Sequence, residues 1–479
     1  MRPRLWIVLT VCCVAQFMLQ LDVSIVTVAL PAMRGSLRMS GTGVQWVVNA
    51  YTLTFAGLLL LGGRTADLLG RRPVFLAGLG VFTASSLACG LAPTGGWLIA
   101  SRAAQGIGAA LLAPATLALL TTTFADPAER RRAVGAWAAT AASGVAVGVL
   151  VGGAVTDLLG WRWVLFVNVP IGAALLAAAT VALAEPAAPL DQRRLDLLGA
   201  VTATLGLAIL VYGTLNTSTR GWGSTSTIVT LASGAALLAA FVVIEARVAE
   251  HPLVPLSLFR QRALSAANVV AITVGVAQFG TYVFLSLYLQ RALGYSPLQS
   301  GLAVLPAGLA TTAGSLLGAP VLARLGPRRQ LALALLLPVA GLFWLSRLSA
   351  DATYLGDILV PSVLAGLGFG LSYVPLTTAA TARVPPEQAG LASGLISSAR
   401  QIGGAFGLAA MATVAAAATR HHAPATPGAL GIGYDRAFML GAATMLAGAA
   451  IAAVLPGNAD QAVRAANTNR SAQLAPEET

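Results

Sequence analysis

A carboxylate in the interior of a bilayer is costly and marks a functional or paired site. The sequence has 17 acidic residues, and Asp22 alone falls well inside a long apolar stretch. The others, such as Asp67, Glu129, Asp157 and Glu245, fall at the ends of such stretches, in connections or in the C-terminal tail. Among 29 basic residues, two fall inside apolar stretches, Arg102 and Arg400. Asp22 stands 8 residues before Leu30, the end of its stretch, and so about 12 Å below that end at the rise of a helix. Arg102 stands 5 residues into a stretch that starts on the same side, about 8 Å deep by the same measure. The depths allow the two to pair. Burial favours a neutral acid, whereas an adjacent guanidinium favours the anion. A carboxylate balanced between them can carry a proton; a fixed ion pair that only holds two helices is the alternative. Arg400 has no deep acid left to meet. It can bond backbone carbonyls, line an aqueous cavity or attract an anionic group.

Polar side chains within the same stretches are candidates for a solute cavity: Gln16, Gln20, Asn49, Tyr51, Gln105, Asn268, Gln278, Tyr282, Tyr373 and Arg400. Amide and aromatic groups suit varied amphipathic solutes, although each alone is also a common packing hydrogen bond. Gly144, Gly148 and Gly152 repeat at four-residue spacing, followed by Gly153. Such spacing lets membrane helices approach closely, and it is either ordinary packing or a mechanistic hinge. Gly63, Asp67, Gly70, Arg71 and Arg72 mark a tight turn in which Asp67 can cap or pair with arginine across helix ends.

The elements that must position these groups follow from composition. The 479 residues are 57% hydrophobic and 10% charged, against about a quarter charged in a soluble domain. Fourteen apolar stretches are predicted to cross the membrane: 5–30, 44–63, 74–91, 97–124, 133–156 and 163–183, then 195–215 and 228–246, then 263–289, 297–323, 331–348, 355–382, 389–418 and 437–455. Length sets the N-terminal stretch apart from a signal peptide, and it is read as an uncleaved first helix. The arrangement predicts an N-terminal six-helix bundle (1–184), a linker with two extra membrane helices (185–262), a C-terminal six-helix bundle (263–456) and a polar, disordered tail (457–479). With the N-terminus inside, 19 arginines fall inside, 8 outside and 2 within the spans. That bias predicts both termini in the cytoplasm. The halves echo one another: Gly70-Arg71-Arg72 matches Gly326-Pro327-Arg328-Arg329, and Gly106-Ile107-Gly108 with Pro114 matches Gly366-Leu367-Gly368 with Pro375. Duplicated halves with a central site are a transporter pattern.

Composition also excludes. The sequence has no lysine, so it has no P-loop lysine for nucleotide phosphates and no Schiff-base cofactor. The net charge of +12 is spread over short connections and is no nucleic-acid footprint. Cys12, Cys13 and Cys89 lie in apolar stretches and predict no disulfide framework; His251, His421 and His422 lie in connections and predict no metal site. No nucleophile, acid and histidine cluster at membrane depth, so no enzyme is expected.

With these residues in place, the chain resembles the major facilitator superfamily, specifically its fourteen-helix drug:proton antiporters, over almost its whole length. Leu21-Asp22-Val23-Ser24 through Pro31 looks like that family's first-helix motif. Gly63 to Arg72 looks like its loop motif, with Thr65 and Leu68 in place of the usual Leu and Arg. Arg102-Ala103-Ala104-Gln105-Gly106 looks like its fourth-helix motif, and Gly144 to Gly153 like its antiporter motif, with Val149 where Pro is usual. Trp161-Arg162-Trp163, Phe166 and Asn168-Val169-Pro170 are similar to the start of the sixth helix. The resemblance implies an all-helical protein of the bacterial cytoplasmic membrane, a monomer without cofactor that uses the proton gradient. It implies export of small lipophilic or cationic compounds by alternating access, with Asp22 and Arg102 in proton coupling. A metabolite or lipid exporter, or a symporter, of the same fold is the alternative.

Overall fold

A chain that crosses hydrocarbon must satisfy its backbone polar groups internally, and helices do so. The computed structural model describes residues 3–124, 126–183, 196–249, 252–348, 352–382, 384, 389–419 and 427–454. Among these there are helices and no strand. The expected tail 457–479, the acids Glu185, Asp191, Glu250, Asp351 and Glu387, and all three histidines lie outside the described residues.

The first six passes are α1 (Pro3–Ser36), α2 (Gly41–Leu69), α3 (Arg71–Gly90), α4 (Gly95–Thr123), α5 (Pro127–Leu158) and the pair α6 (Trp163–Phe166) with α7 (Asn168–Ala182). Two more follow, α8 (Leu197–Arg220) and α9 (Thr225–Arg247). The last six are α10 (Arg262–Arg291), α11 (Pro297–Leu325), α12 (Pro327–Leu345), α13 (Val360–Thr381), α14 (Ala389–Thr419) and α15 (Pro427–Ala453). Among the described residues thirteen helices are long and apolar enough to span a membrane, and Val147–Leu158 of α5 is a shorter apolar segment. At 32 residues α5 is nonetheless about 48 Å long, more than the ~30 Å hydrocarbon core. With α6 and α7 counted together, the described residues hold fourteen long helical segments, thirteen of them candidate spans.

Several boundaries differ from expectation: α15 starts at Pro427 rather than 437 and α5 at Pro127 rather than 133, and two further differences touch the expected motifs. Helix α1 continues through Pro31 to Ser36, because Leu30 and Met33 are buried and tertiary packing holds the turn. Helix α2 runs to Leu69, so most of the stretch expected as a tight turn is helical and only Gly70 breaks the chain. Gly70 has φ 95° and ψ 145°, a conformation open essentially to glycine.

Helix packing repeats between the sixes. In the first, α1 packs on α5, and α4 lies between α2 and α3; in the second, α10 packs on α14, and α13 lies between α11 and α12. The echoed glycines explain this. Gly106 faces the Tyr51 carbonyl of α2 and Gly108 faces Phe82 of α3; likewise Gly366 faces the Ala307 carbonyl of α11 and Gly368 faces Ala334 and Pro338 of α12. Helices α8 and α9 pair with each other, and α8 leans on α2 and α14. Ile228, Val229, Val242 and Val243 of α9 stay exposed, as a lipid-facing surface requires.

α1 begins at what we term the terminal face. Several contacts between the sixes lie toward the opposite face. Gln290 Nε2 donates to the Val28 carbonyl at 3.1 Å, Ser296 Oγ donates to Asp157 Oδ2 at 3.2 Å, and Gly153 and Gly301 bring α5 and α11 together. Nearer mid-depth, Ser398 Oγ donates to the Ala56 carbonyl at 3.3 Å.

Candidate functional site

Asp22 sits in the middle of α1 and is fully buried. Its carboxylate accepts three hydrogen bonds: Arg102 Nη1 to Oδ2 at 2.6 Å, Gln105 Nε2 to Oδ1 at 2.8 Å and Asn168 Nδ2 to Oδ1 at 2.8 Å. Arg102 is 1% exposed, and its contact with Asp22 is an ion pair. Helical spacing puts Arg102 and Gln105, three residues apart, on one face of α4. There Arg102 Nη1 also donates to Gln105 Oε1 at 2.6 Å, which fixes the amide orientation that sends Gln105 Nε2 to Asp22. Arg102 Nε donates to the Val47 carbonyl of α2 at 3.0 Å, and the Tyr51 ring lies under the guanidinium at 4.4 Å. Gln105 Nε2 reaches Ser86 Oγ of α3 at 2.6 Å. Side chains and backbone from α1, α2, α3, α4 and α7 therefore converge on one charge pair.

Every group bonded to Asp22 is a donor, and the arrangement fits a carboxylate. Among these partners Asn168 keeps an unpartnered acceptor, its Oδ1, which a turn of the amide would bring to Asp22. Opening the pair would leave a buried charge without its partner, at a cost of about 3–5 kcal/mol.

The glycine row of α5 packs along the same part of α1. Gly144 lies against the Phe17 carbonyl and Gln20, Gly148 against the Leu21 carbonyl and Ser24, and Gly152 against Ile25. Gly153 turns the other way and meets Pro297 and Leu298 of α11. Val149, next to Gly148, is buried, and its carbonyl faces Gly301. The row thus joins the helix that carries Asp22 to the contact between the sixes.

The residues expected around a cavity divide. Gln105 and Tyr51 are sealed around Arg102 with 0% and 2% exposure and line no open space. Asn49 and Gln16 are buried; neither amide atom of Asn49 finds a partner, and Gln16 Oε1 has none. Asn268 bonds back to the Leu264 carbonyl of its own helix. Gln20 is half-buried beside Gly144. In the second six, Gln278 Nε2 donates to Tyr373 Oη at 2.5 Å, Tyr282 and Thr311 share a 2.8 Å hydrogen bond, and Arg400 lies over the Tyr373 ring at 4.8 Å. Two cavities are seen at the periphery. One of about 420 Å³ lies beside Glu245, Pro252 and Arg260, and one of about 400 Å³ lies beside Phe343, Arg347 and Asp357. Neither is lined by the expected cavity residues.

In the loop motif, Gly63 faces Pro114 at an ordinary contact distance, Arg71 opens α3, and Arg72 Nη2 donates to the Thr180 carbonyl of α7. The side chain of Asp67 is outside the described ones, so its expected latch has no geometry here. Asn168, Ser86 and the Val47 carbonyl were not among the expected site residues. Only Asn168 left a trace in the sequence, as an amide at the start of the sixth pass.

The family model of the Major Facilitator Superfamily matches residues 12–408. The chain is 45% identical to a cephamycin export protein of Amycolatopsis lactamdurans, covering 94% of this chain and 92% of that one. It is 43% identical to a puromycin resistance protein of Streptomyces alboniger, covering 87% and 83%. The crystal structure of the nucleoside transporter NupG matches with a TM-score of 0.64 at 12% identity, covering 94% of this chain and 99% of that one.

Proposed function

The chain belongs to the major facilitator superfamily, and we propose that it is a proton-driven exporter of drug-like small molecules working by alternating access. Two relatives named for antibiotic export and resistance support the class of cargo. The observation that carries the mechanism is the closed network on Asp22. The carboxylate is central in its span, dry and bonded to Arg102, Gln105 and Asn168. A proton there displaces one of these donors, so in this reading protonation is tied to rearrangement around Asp22, by movement among α1, α4 and α7 or by a turn of the Asn168 amide. Protonation and substrate binding then compete, each favouring a different conformer, which coupling requires.

The contacts among Val28, Gln290, Asp157 and Ser296 support a state closed on the face opposite the termini. The arginine bias makes the terminal face cytoplasmic. In this reading the protein is a monomer of the bacterial cytoplasmic membrane. Residues 1–184 and 263–456 rock against each other, and 185–262 carry the added helix pair. The proton gradient is the energy source; no cofactor, metal or nucleic acid takes part. Gly63, Asp67, Gly70, Arg71 and Arg72 act as a cytoplasmic latch on one conformer, and Gly144 to Gly153 as a hinge of this motion.

The test is efflux of a neutral lipophilic dye, Nile red, from cells expressing wild type and Asp22→Asn, with and without an uncoupler. Uncoupler-sensitive efflux that disappears in a normally expressed Asp22→Asn protein is expected. Full proton-driven efflux by Asp22→Asn would sink the assignment of Asp22.

A further inference from the structure

Two charged sites lie deep in the described spans, and they differ in what they leave available. Asp22 is saturated by three donors and buried. No other described carboxylate lies in the middle third of a span. Arg400 lies 11 residues into α14, about 16 Å from its start. Its guanidinium rests on the Tyr373 ring at 4.8 Å, and no described carboxylate or hydrogen-bond acceptor serves it. It is half-buried.

Its surroundings point inward. The backbone of α14 at Arg400, Gly403 and Gly407 packs on Gly275, Ile272 and Val276 of α10, so this face of the helix is turned from lipid. Tyr373 comes from α13, and its Oη accepts from Gln278 Nε2 of α10, which leaves the Tyr373 O–H as a donor. A guanidinium keeps its charge and offers five N–H donors in a planar fork that matches a carboxylate. A guanidinium stacked on an aromatic face uses none of its N–H donors in that contact. A cationic solute would meet repulsion here and no counter-charge.

We propose that Arg400, set on Tyr373 and backed by Gln278, is a receptor for a carboxylate carried by an otherwise apolar, aromatic substrate. This deepens the export reading and rests on it for the direction of transport. The carboxylate takes the outer edge of the guanidinium, and the apolar body of the substrate lies along the Tyr282–Tyr373 side.

Three pyrene probes of one shape test the charge preference: pyrenebutyrate, its methyl ester and the corresponding pyrenebutyl trimethylammonium cation. Binding is measured on detergent-purified wild type, Arg400→Gln and Arg400→Lys, each checked for a monodisperse elution profile. Transport of the same probes is measured in proteoliposomes under an imposed pH gradient. Wild type should bind the carboxylate at least about tenfold more tightly than the ester, the weight of a charge-assisted hydrogen bond. Arg400→Gln should erase that preference and Arg400→Lys should keep part of it. A wild type that binds the ester or the cation as well as the carboxylate, or a preference that survives in Arg400→Gln, overturns the proposal. If the pH gradient moves no probe while the Arg400-dependent preference is present, the export reading fails and the carboxylate site stands. If the gradient moves the probes without that preference, the site fails and the export reading stands.

Discussion

The side-chain amide of Asn168, at the first turn of α7, donates to Oδ1 of Asp22 in the middle of α1 at 2.8 Å, across 146 residues of chain. Both residues have 0% exposure. This bond ties the sixth pass to the charge that the fourth pass neutralises.

Removing that donor should cost stability. A buried hydrogen bond to a charged group contributes about 1.5–3 kcal/mol, so Asn168→Ala should lower the thermal unfolding midpoint of the purified protein and slow proton-driven efflux. Unfolding scans and efflux from proteoliposomes check it. A wild-type midpoint together with a wild-type rate would mean that this bond carries no weight.

The α1–α5 contact makes a second prediction. A Cβ on Gly148 would stand 2.8 Å from the Leu21 carbonyl oxygen, a backbone atom that cannot swing aside. Gly148→Ala should destabilise the protein by about 1–3 kcal/mol, as overpacking does, and slow transport. Gly135 lies on the same helix with nothing within 4 Å, so Gly135→Ala is the control and should be neutral. Thermal unfolding of both variants decides it; equal midpoints would remove the argument for close packing at Gly148.

Closure on the face opposite the termini can be trapped. Ser296 Oγ and Asp157 Oδ2 are 3.2 Å apart, and the native cysteines Cys12, Cys13 and Cys89 are all buried. The pair Asp157→Cys with Ser296→Cys should form a disulfide under mild oxidation. Transport should stop on oxidation and return with a reductant. A cross-linked protein that transports at the wild-type rate would rule out a separation of α5 from α11 during the cycle.

Much of this architecture was legible in the chain. The length of each apolar stretch announces a membrane pass, because hydrocarbon thickness fixes the number of residues required. The stretch 133–156 is one of them, and it lies within the continuous helix α5. The echo of Gly106 and Gly108 in Gly366 and Gly368 foretold the repeat, since each glycine allows one close helix crossing. Depth allowed Asp22 to pair with Arg102, and the ion pair between them is present in the structure.

The sequence by itself determined that the chain is a set of membrane helices with one central acid, and that this acid has a basic partner at its own depth. Only the tertiary structure decided which side chains close around that pair. Helical periodicity places Arg102 and Gln105 on one face of α4, but nothing local says how far α4 is rotated toward α1, α2 and α3. That rotation turned Gln105 and Tyr51 from expected cavity residues into sealed partners of the charge, and brought in Ser86, the Val47 carbonyl and Asn168. The physical reason is that a buried charge is satisfied by whichever donors the packing delivers, and packing is a property of helix pairs rather than of any one helix.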